Sequence, residues 1–234
     1  MLEAAFWGFA GGSSLLAGAA IGYFVPLHDR PLGLVMGFGA GALISATAFE
    51  LTEDAFALGG ADIVAGGLAA GALVYFAGNR YLQRMEPEGD KNEVSVGLTL
   101  GAVLDGIPES AVIGITLLEG GGVGIAFLAA VFISNLPEAL AASADMKDDN
   151  AFGHVFKVWA LVVMASTAAA ALGFGLLDGA SDDLIGFINA FAGGAVLTML
   201  ADEMIPEAYR RSRDLAGLAT VLGFALAYLL STLD

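Results

Sequence analysis

Residues 122–146 read GVGIAFLAAVFISNLPEALAASADM, a long apolar run with a polar centre. Within it Pro137 is followed directly by Glu138, and the next charged residue is Asp145. A helix needs about 20 predominantly apolar residues to cross the roughly 30 Å hydrocarbon core of a bilayer. The run therefore predicts a transmembrane helix. A carboxylate in the middle of such a helix is costly and marks a functional position by default.

The composition extends this interpretation to the whole chain. Of 234 residues, 57% are hydrophobic and 15% are charged, and the mean hydropathy is +0.77. Soluble domains have about 45–50% apolar and about 25% charged residues. The 33 glycines suit helices that pack closely in lipid. The absence of cysteine excludes disulfides and thiolate metal sites, and a net charge of −16 argues against nucleic acid as a partner.

Polar and Gly/Pro clusters divide the chain into apolar segments that predict an all-α membrane protein of eight spans. The first segment lacks the basic region of a signal peptide, so we interpret it as a span. The polar stretch 83–93 is the longest connection. The predicted spans are about 4–26, 32–54, 62–82, 94–117, 122–146, 154–177, 184–207 and 214–233.

The basic residues give an independent test of this count. All nine Lys and Arg residues fall in or beside the connections after spans one, three, five and seven. Cytoplasmic connections are enriched in Lys and Arg. We therefore expect a multi-pass protein of the cell membrane, with both termini outside and the loop 83–93 in the cytoplasm.

The chain also aligns weakly with itself at an offset of 153 residues. Residues 38–42 then pair with 191–195, and Glu50 pairs with Glu203. The matching spans, two and seven, run in opposite directions. This pattern predicts inverted repeats, spans 1–3 against 6–8 around a central pair, as in secondary transporters.

The central pair contains a second, shorter repeat. Asp105-Gly106-Ile107-Pro108-Glu109 in span four matches Ser134-Asn135-Leu136-Pro137-Glu138 in span five. Each proline removes a helical hydrogen bond and frees the carbonyl four residues earlier, and such a group needs a polar partner at membrane depth. We predict a cation site near the midplane. The alternative is that protonated acids hydrogen-bond across ordinary proline kinks. The candidate ligands are Asp105, Glu109, Ser134, Asn135 and Glu138.

In these features the chain resembles the ZIP (Zrt-, Irt-like) divalent metal transporters over nearly its full length. The resemblance includes span seven, which ends Asp202-Glu203-Met204-Ile205-Pro206-Glu207-Ala208. It implies that the five candidate residues are metal ligands, and it suggests a homodimer. It implies no cofactor beyond the transported metal.

The metal-site motifs depart from the family pattern. Asp105 stands where the family usually has His, Gly106 where it has Asn, and Ser134 where it has His or Gln. The region 165–170 of span six has no acid, although the family commonly has one there. The candidates are therefore all oxygen donors, and the binuclear site is reduced to one metal position. Oxygen donors favour harder ions such as Mn²⁺ and Fe²⁺, whereas Zn²⁺ accepts carboxylates as well.

Four further acids predict a route through the membrane. Glu50 lies toward the outer end of span two, and Asp145, Asp202 and Glu203 lie toward the cytoplasm. We expect Glu50 to serve entry and the other three to serve exit. The alternative is that acids at span ends are only solvated at the interface.

The leading hypothesis is divalent metal transport by alternating access, in which the two three-helix repeats rock around the central site. Paired acids also suit a monovalent-cation or proton-coupled carrier. A third hypothesis is a metal-binding membrane protein without flux. An enzyme is not expected, because both histidines, His28 and His154, lie at predicted cytoplasmic connections and neither is placed to activate Ser134 as a nucleophile.

Overall fold

The computed structural model describes residues 1–26, 28–85, 106–119 and 123–232. In these ranges all regular secondary structure is helical, and there is no β-strand. The helices are α1 (Leu2–Phe24), α2 (Asp29–Ala46), α3 (Glu53–Met85), α4 (106–116), α5 (Ile125–Met146), α6 (Phe152–Leu177), α7 (Asp182–Met199), α8 (Ile205–Ser212) and α9 (Leu215–Ser231).

Five helical stretches in the described part of the chain are long and apolar enough to cross a membrane. One of them, Asp29–Leu82, has 54 residues, which as a straight helix would measure about 80 Å and exceed any bilayer core. The shorter Leu215–Ser231 is also apolar. The expectation of an all-helical structure is confirmed for the described residues, and several of its helices are apolar enough for a multi-pass membrane protein.

Gly60 divides the longest stretch. Its φ of 74° and ψ of −177° are non-helical and fall in a region that side chains disfavour. Gly193 of α7 packs on Thr47, whereas Gly186, two turns earlier, packs on Ala55. The segment before Gly60 is therefore antiparallel to α7.

The segment after Gly60 runs the other way. Gly67 packs on Phe187 of α7, and Gly71, one turn later, packs on Phe191. Residues 61–85 are therefore parallel to α7, and the chain reverses direction at Gly60. The sequence predicted a connection between 54 and 62, but helix occupies almost all of it.

Two π-helical turns interrupt the bundle. Thr47–Thr52 joins α2 to α3, and Leu200–Met204 joins α7 to α8. Thr47 and Leu200 are 153 positions apart, which is the offset at which the sequence aligns with itself. Each turn contains one of the paired acids, Glu50 or Glu203. Such turns are rare in proteins as a whole, and those that occur are often found at functional sites.

Glycine contacts at the helix crossings follow the same repeat. Gly41 of α2 lies against the carbonyl of Thr220 in α9, and Gly194, 153 positions later, lies against the carbonyl of Leu68 in α3. In each case a Cβ would overlap the facing backbone. The α2–α9 and α3–α7 pairs therefore approach backbone to backbone, as small residues allow in membrane helices.

The helices pack as two groups. In the first group, α1 packs along α5 and α6, and Gly114 of α4 contacts Ala170 of α6. In the second group, α2 packs along α8 and α9, and α3 packs along α7. Each predicted three-helix repeat is divided between the groups. Rocking of the repeats as two rigid bodies therefore does not fit this packing, because it would separate the closest helix pairs.

The two groups meet mainly where α2 crosses α5. A Cβ on Gly39 would lie 2.9 Å from the Cα of Ser134, so the backbones touch there. Closer to the C-terminal end of α2, Glu50 reaches Phe127 at the start of α5. The two helices are therefore antiparallel, and their crossing passes through the predicted site.

Side-chain bonds tie other helix ends together at the opposite end of the bundle. Arg211 of α8 pairs with Asp29 of α2 at 2.8 Å. The Tyr23 hydroxyl donates to the carbonyl of Asn150 at 3.1 Å, which joins the end of α1 to the connection before α6. The basic helix ends of α2 and α8 thus share one end of the molecule.

Candidate metal site

The two Pro-Glu glutamates come from neighbouring helices and lie close together. Glu109 of α4 is buried, with 1% of its surface exposed, and Glu138 of α5 is half-buried. Their carboxylates are near enough for the charge of one to act on the other. Asp105, the third predicted carboxylate, lies outside the described residues.

The α5 side of the site is tightly packed. Ser134 and Asn135 are both buried, and the Ser134 hydroxyl donates to the carbonyl of Val131 at 3.0 Å. Pro137 lies inside α5, one residue before Glu138. Gly39 of α2 approaches the backbone at Ser134, so the second helix group closes this side of the site.

Glu203 lies beside the site, closer than the sequence predicted. Its charge acts on Glu138. Its Oε1 accepts hydrogen bonds from the Tyr75 hydroxyl at 2.8 Å and from Asn79 Nδ2 at 2.6 Å, both on α3. Glu109, Glu138 and Glu203 thus bring carboxylates from α4, α5 and the turn after α7 toward one region.

Glu50 occupies a different position, at the far end of α5. Its Oε2 accepts the backbone N–H of Phe127 at 3.0 Å. A Cβ on Gly124, the residue before α5, would lie 3.0 Å from the same oxygen. The structure therefore places this predicted entry residue against the N-terminus of α5.

The remaining predicted exit residues are only partly described. Asp202 is exposed in the same π-helical turn as Glu203. Asp145 belongs to the last turn of α5, and its side chain lies outside the described residues. The structure thus brings Glu203 to the central pair and leaves Asp202 facing outward.

The described side chains do not form a closed coordination shell. Among residues 1–26, 28–85, 106–119 and 123–232, no three His, Asp or Glu side chains converge to hold a metal ion. Nearby like charges repel each other in a low-dielectric interior, and a cation between them relieves that repulsion.

Sequence reasoning did not identify Tyr75 and Asn79. They stand one helical turn apart near the polar end of span three, and this spacing places two donors on one helix face. That spacing was a usable signal that both side chains could bind the same acid. Nothing in the sequence indicated that Glu50 would bond to α5, because that contact depends on how the two helix groups meet.

Comparison with known proteins gives one informative relative. The chain is 27% identical over 211 residues to an Arabidopsis thaliana protein named "Putative zinc transporter". The aligned region is 83% of this chain and 33% of the relative, so the chain spans about a third of that protein's length. No family model matches the chain.

Proposed function

We propose that this protein carries divalent metal ions across a membrane, in the manner of the ZIP transporters, through a site between α4 and α5. The observation on which this rests is the proximity of Glu109 and Glu138. Both acids follow a proline, and they come from different helices packed deep in an apolar bundle. The similarity to a protein named as a zinc transporter supports the same function.

The proposed ligands are Asp105, Glu109, Ser134, Asn135 and Glu138. Glu203 extends this set toward one end of the bundle, because its charge already acts on Glu138. We assign it to the exit route with Asp202 and Asp145. All the proposed ligands are oxygen donors, so Zn²⁺ competes there with Mn²⁺ and Fe²⁺.

The proposed topology has eight crossings, with both termini outside and the basic helix ends in the cytoplasm. The packing directions support it. The segment before Gly60 is antiparallel to α7 and to α5, and the segment after it is parallel to α7. The matched π-helical turns support an inverted repeat that relates spans 1–3 to spans 6–8.

Alternating access then requires the two helix groups to move past each other, with the metal bound in the group that contains α4 and α5. The interface between the groups is mainly the crossing of α2 over α5, and Glu203 of one group lies near enough for its charge to act on Glu138 of the other. Movement there opens the site to one side or the other without separating the glycine-lined pairs within each group.

The test is metal uptake by purified protein in proteoliposomes, with Zn²⁺ and Mn²⁺ as probes. Glu109→Gln and Glu138→Gln keep the side-chain size and remove one charge each. We expect either change to reduce uptake at least about tenfold, in line with the loss of a metal-site group. Glu3→Gln, at an exposed position in the first turn of α1, is the matched control and should leave uptake unchanged.

Unchanged uptake in both site variants would remove the site assignment. Two results together would favour the monovalent-cation or proton-coupled carrier. Uptake would depend on Na⁺ or on pH, and calorimetry would detect no binding of a divalent metal ion. Metal binding without uptake would identify a binding protein.

A further inference from the structure

Glu50 connects the two helix groups at one end of their shared interface. It lies in the π-helical turn after α2, in one group, and its Oε2 accepts the N–H of Phe127 on α5, in the other group, at 3.0 Å. Phe127 is the third residue of α5, so its N–H is one of those that the helix itself cannot pair. The contact is therefore a helix cap supplied by a different part of the chain.

The π-helical turn is what aims this side chain. A wider turn accommodates an additional residue, and each additional residue rotates the later part of the helix by about 100° relative to a continuous α-helix. The turn is held by the Thr52 hydroxyl, which donates to the carbonyl of Thr47 at 2.8 Å. The close approach of Gly124 leaves room for the carboxylate but little space beside it.

The chemistry favours a strong contact while the two ends lie together. The first amides of a helix carry a partial positive charge, and a carboxylate is stabilised there. Hydrogen bonds with one charged partner are about twice as strong as neutral ones, and water competes less in the interior. A contact of this strength between two moving groups influences which arrangement they adopt.

We propose that Glu50 is a positioning residue that latches the start of α5 to α2, and that the bond breaks and reforms in each transport cycle. The inference rests on the proposed function. In this proposal Glu50 holds the site-bearing helix α5 in position, whereas the sequence predicted that Glu50 serves metal entry. Breaking the bond lets the start of α5 leave α2 and opens the site from that end.

Substitutions at Glu50 separate a latch from a metal ligand. Glu50→Gln keeps the reach and an oxygen acceptor but loses the charge, which a metal ligand needs. Glu50→Asp keeps the charge but is shorter by one carbon, so the acceptor retreats by more than about 1 Å. Gln keeps a neutral hydrogen bond of about half the strength, so for a latch we expect a partial loss of uptake for Gln, about twofold to threefold, and at least a fivefold loss for Asp and for Glu50→Ala. A ligand predicts the opposite order, with Asp active and Gln inactive.

A second measurement does not depend on transport. The chain has no cysteine, so spin labels attach only where cysteine is introduced. Phe56, near the start of α3, and Ile125, at the start of α5, are 59% and 46% exposed and tolerate labels. In lipid nanodiscs we expect the distance distribution between labels at these positions to stay narrow for wild type and Gln, and to broaden and lengthen for Asp and Ala.

The outcomes separate the two proposals. If no variant moves metal, wild type included, the proposed function fails while the label distances still test the latch. An unchanged distribution in the Ala variant, or a Gln variant as inactive as Ala, overturns the latch. Each variant is first checked for a single peak in size-exclusion chromatography, so that loss of uptake is not loss of fold.

Discussion

Replacing Gly194 by alanine tests the backbone-to-backbone packing of α3 on α7. A Cβ at this position would lie 2.8 Å from both the carbonyl carbon and the Cα of Leu68. Ordinary contacts between carbon atoms are about 3.5–4.0 Å, so the two helices would have to separate by about 0.7–1.2 Å along their crossing. Overpacking of this kind costs about 1–3 kcal/mol.

Gly66→Ala is the matched control. Gly66 lies in α3, and a Cβ there meets nothing within 4 Å. Removing a helical glycine without a clash gains about 0.5–1 kcal/mol. The two variants therefore make the same chemical change and should shift stability in opposite directions.

The assay is unfolding of purified protein in mixed micelles with increasing sodium dodecyl sulfate, followed by circular dichroism. We expect the free energy of unfolding to fall by up to about 2.5 kcal/mol for Gly194→Ala, because the gain from removing a helical glycine offsets part of the overpacking, and to hold or rise for Gly66→Ala. Equal shifts of the two variants would refute close packing at this crossing.

Two further predictions use other contacts of the described chain. Trp159 Nε1 donates to the Ser143 hydroxyl at 2.8 Å, and both residues are buried; Ser143→Ala should cost about 1–3 kcal/mol, because it strands the indole N–H. In a double-mutant cycle with Trp159→Phe the two costs should not add, and additive costs would exclude the bond. For the proposed topology, a single cysteine in place of the exposed Asp182 should react with an impermeant maleimide in intact cells. One in place of the exposed Asp148 should react only after permeabilisation, and the reverse result would invert the orientation.

The sequence predicted the helices that coincide with long apolar runs, because length and apolarity are what a helix needs to cross a bilayer. The sequence was less informative where a helix continues beyond the apolar run into polar residues. Span seven was expected to end at 207, yet helix continues to Ser212. The apolar pattern did not predict this part because α8 is polar and lies beyond the apolar run. Helix also continues through residues 55–59, which were expected to begin a loop.

The closeness of the two Pro-Glu glutamates was predictable to the extent that it is local, whereas their role as metal ligands stays a prediction. The Pro-Glu repeats identified Glu109 and Glu138 from spacing alone, and the structure places the two close together. The contacts of Glu203 with Tyr75 and of Glu50 with Phe127 join residues far apart in sequence. Such contacts depend on how whole helices cross, which one sequence does not encode in any short pattern. The repeat offset was the available hint, since it paired the two acids that both lie in π-helical turns.

The reversal at Gly60 has a consequence for how the chain is made. Moving a hydrophilic segment across a bilayer has the largest free-energy cost in membrane insertion, and charged residues contribute most of that cost. In the proposed topology, a reversal at one glycine leaves only a short stretch to translocate, with Glu53, Asp54 and Asp62 as its acids. The helices on either side of Gly60 are therefore suited to enter the bilayer together as a hairpin after both have been synthesised. A polar tag inserted at Gly60 should impair biogenesis before it affects transport.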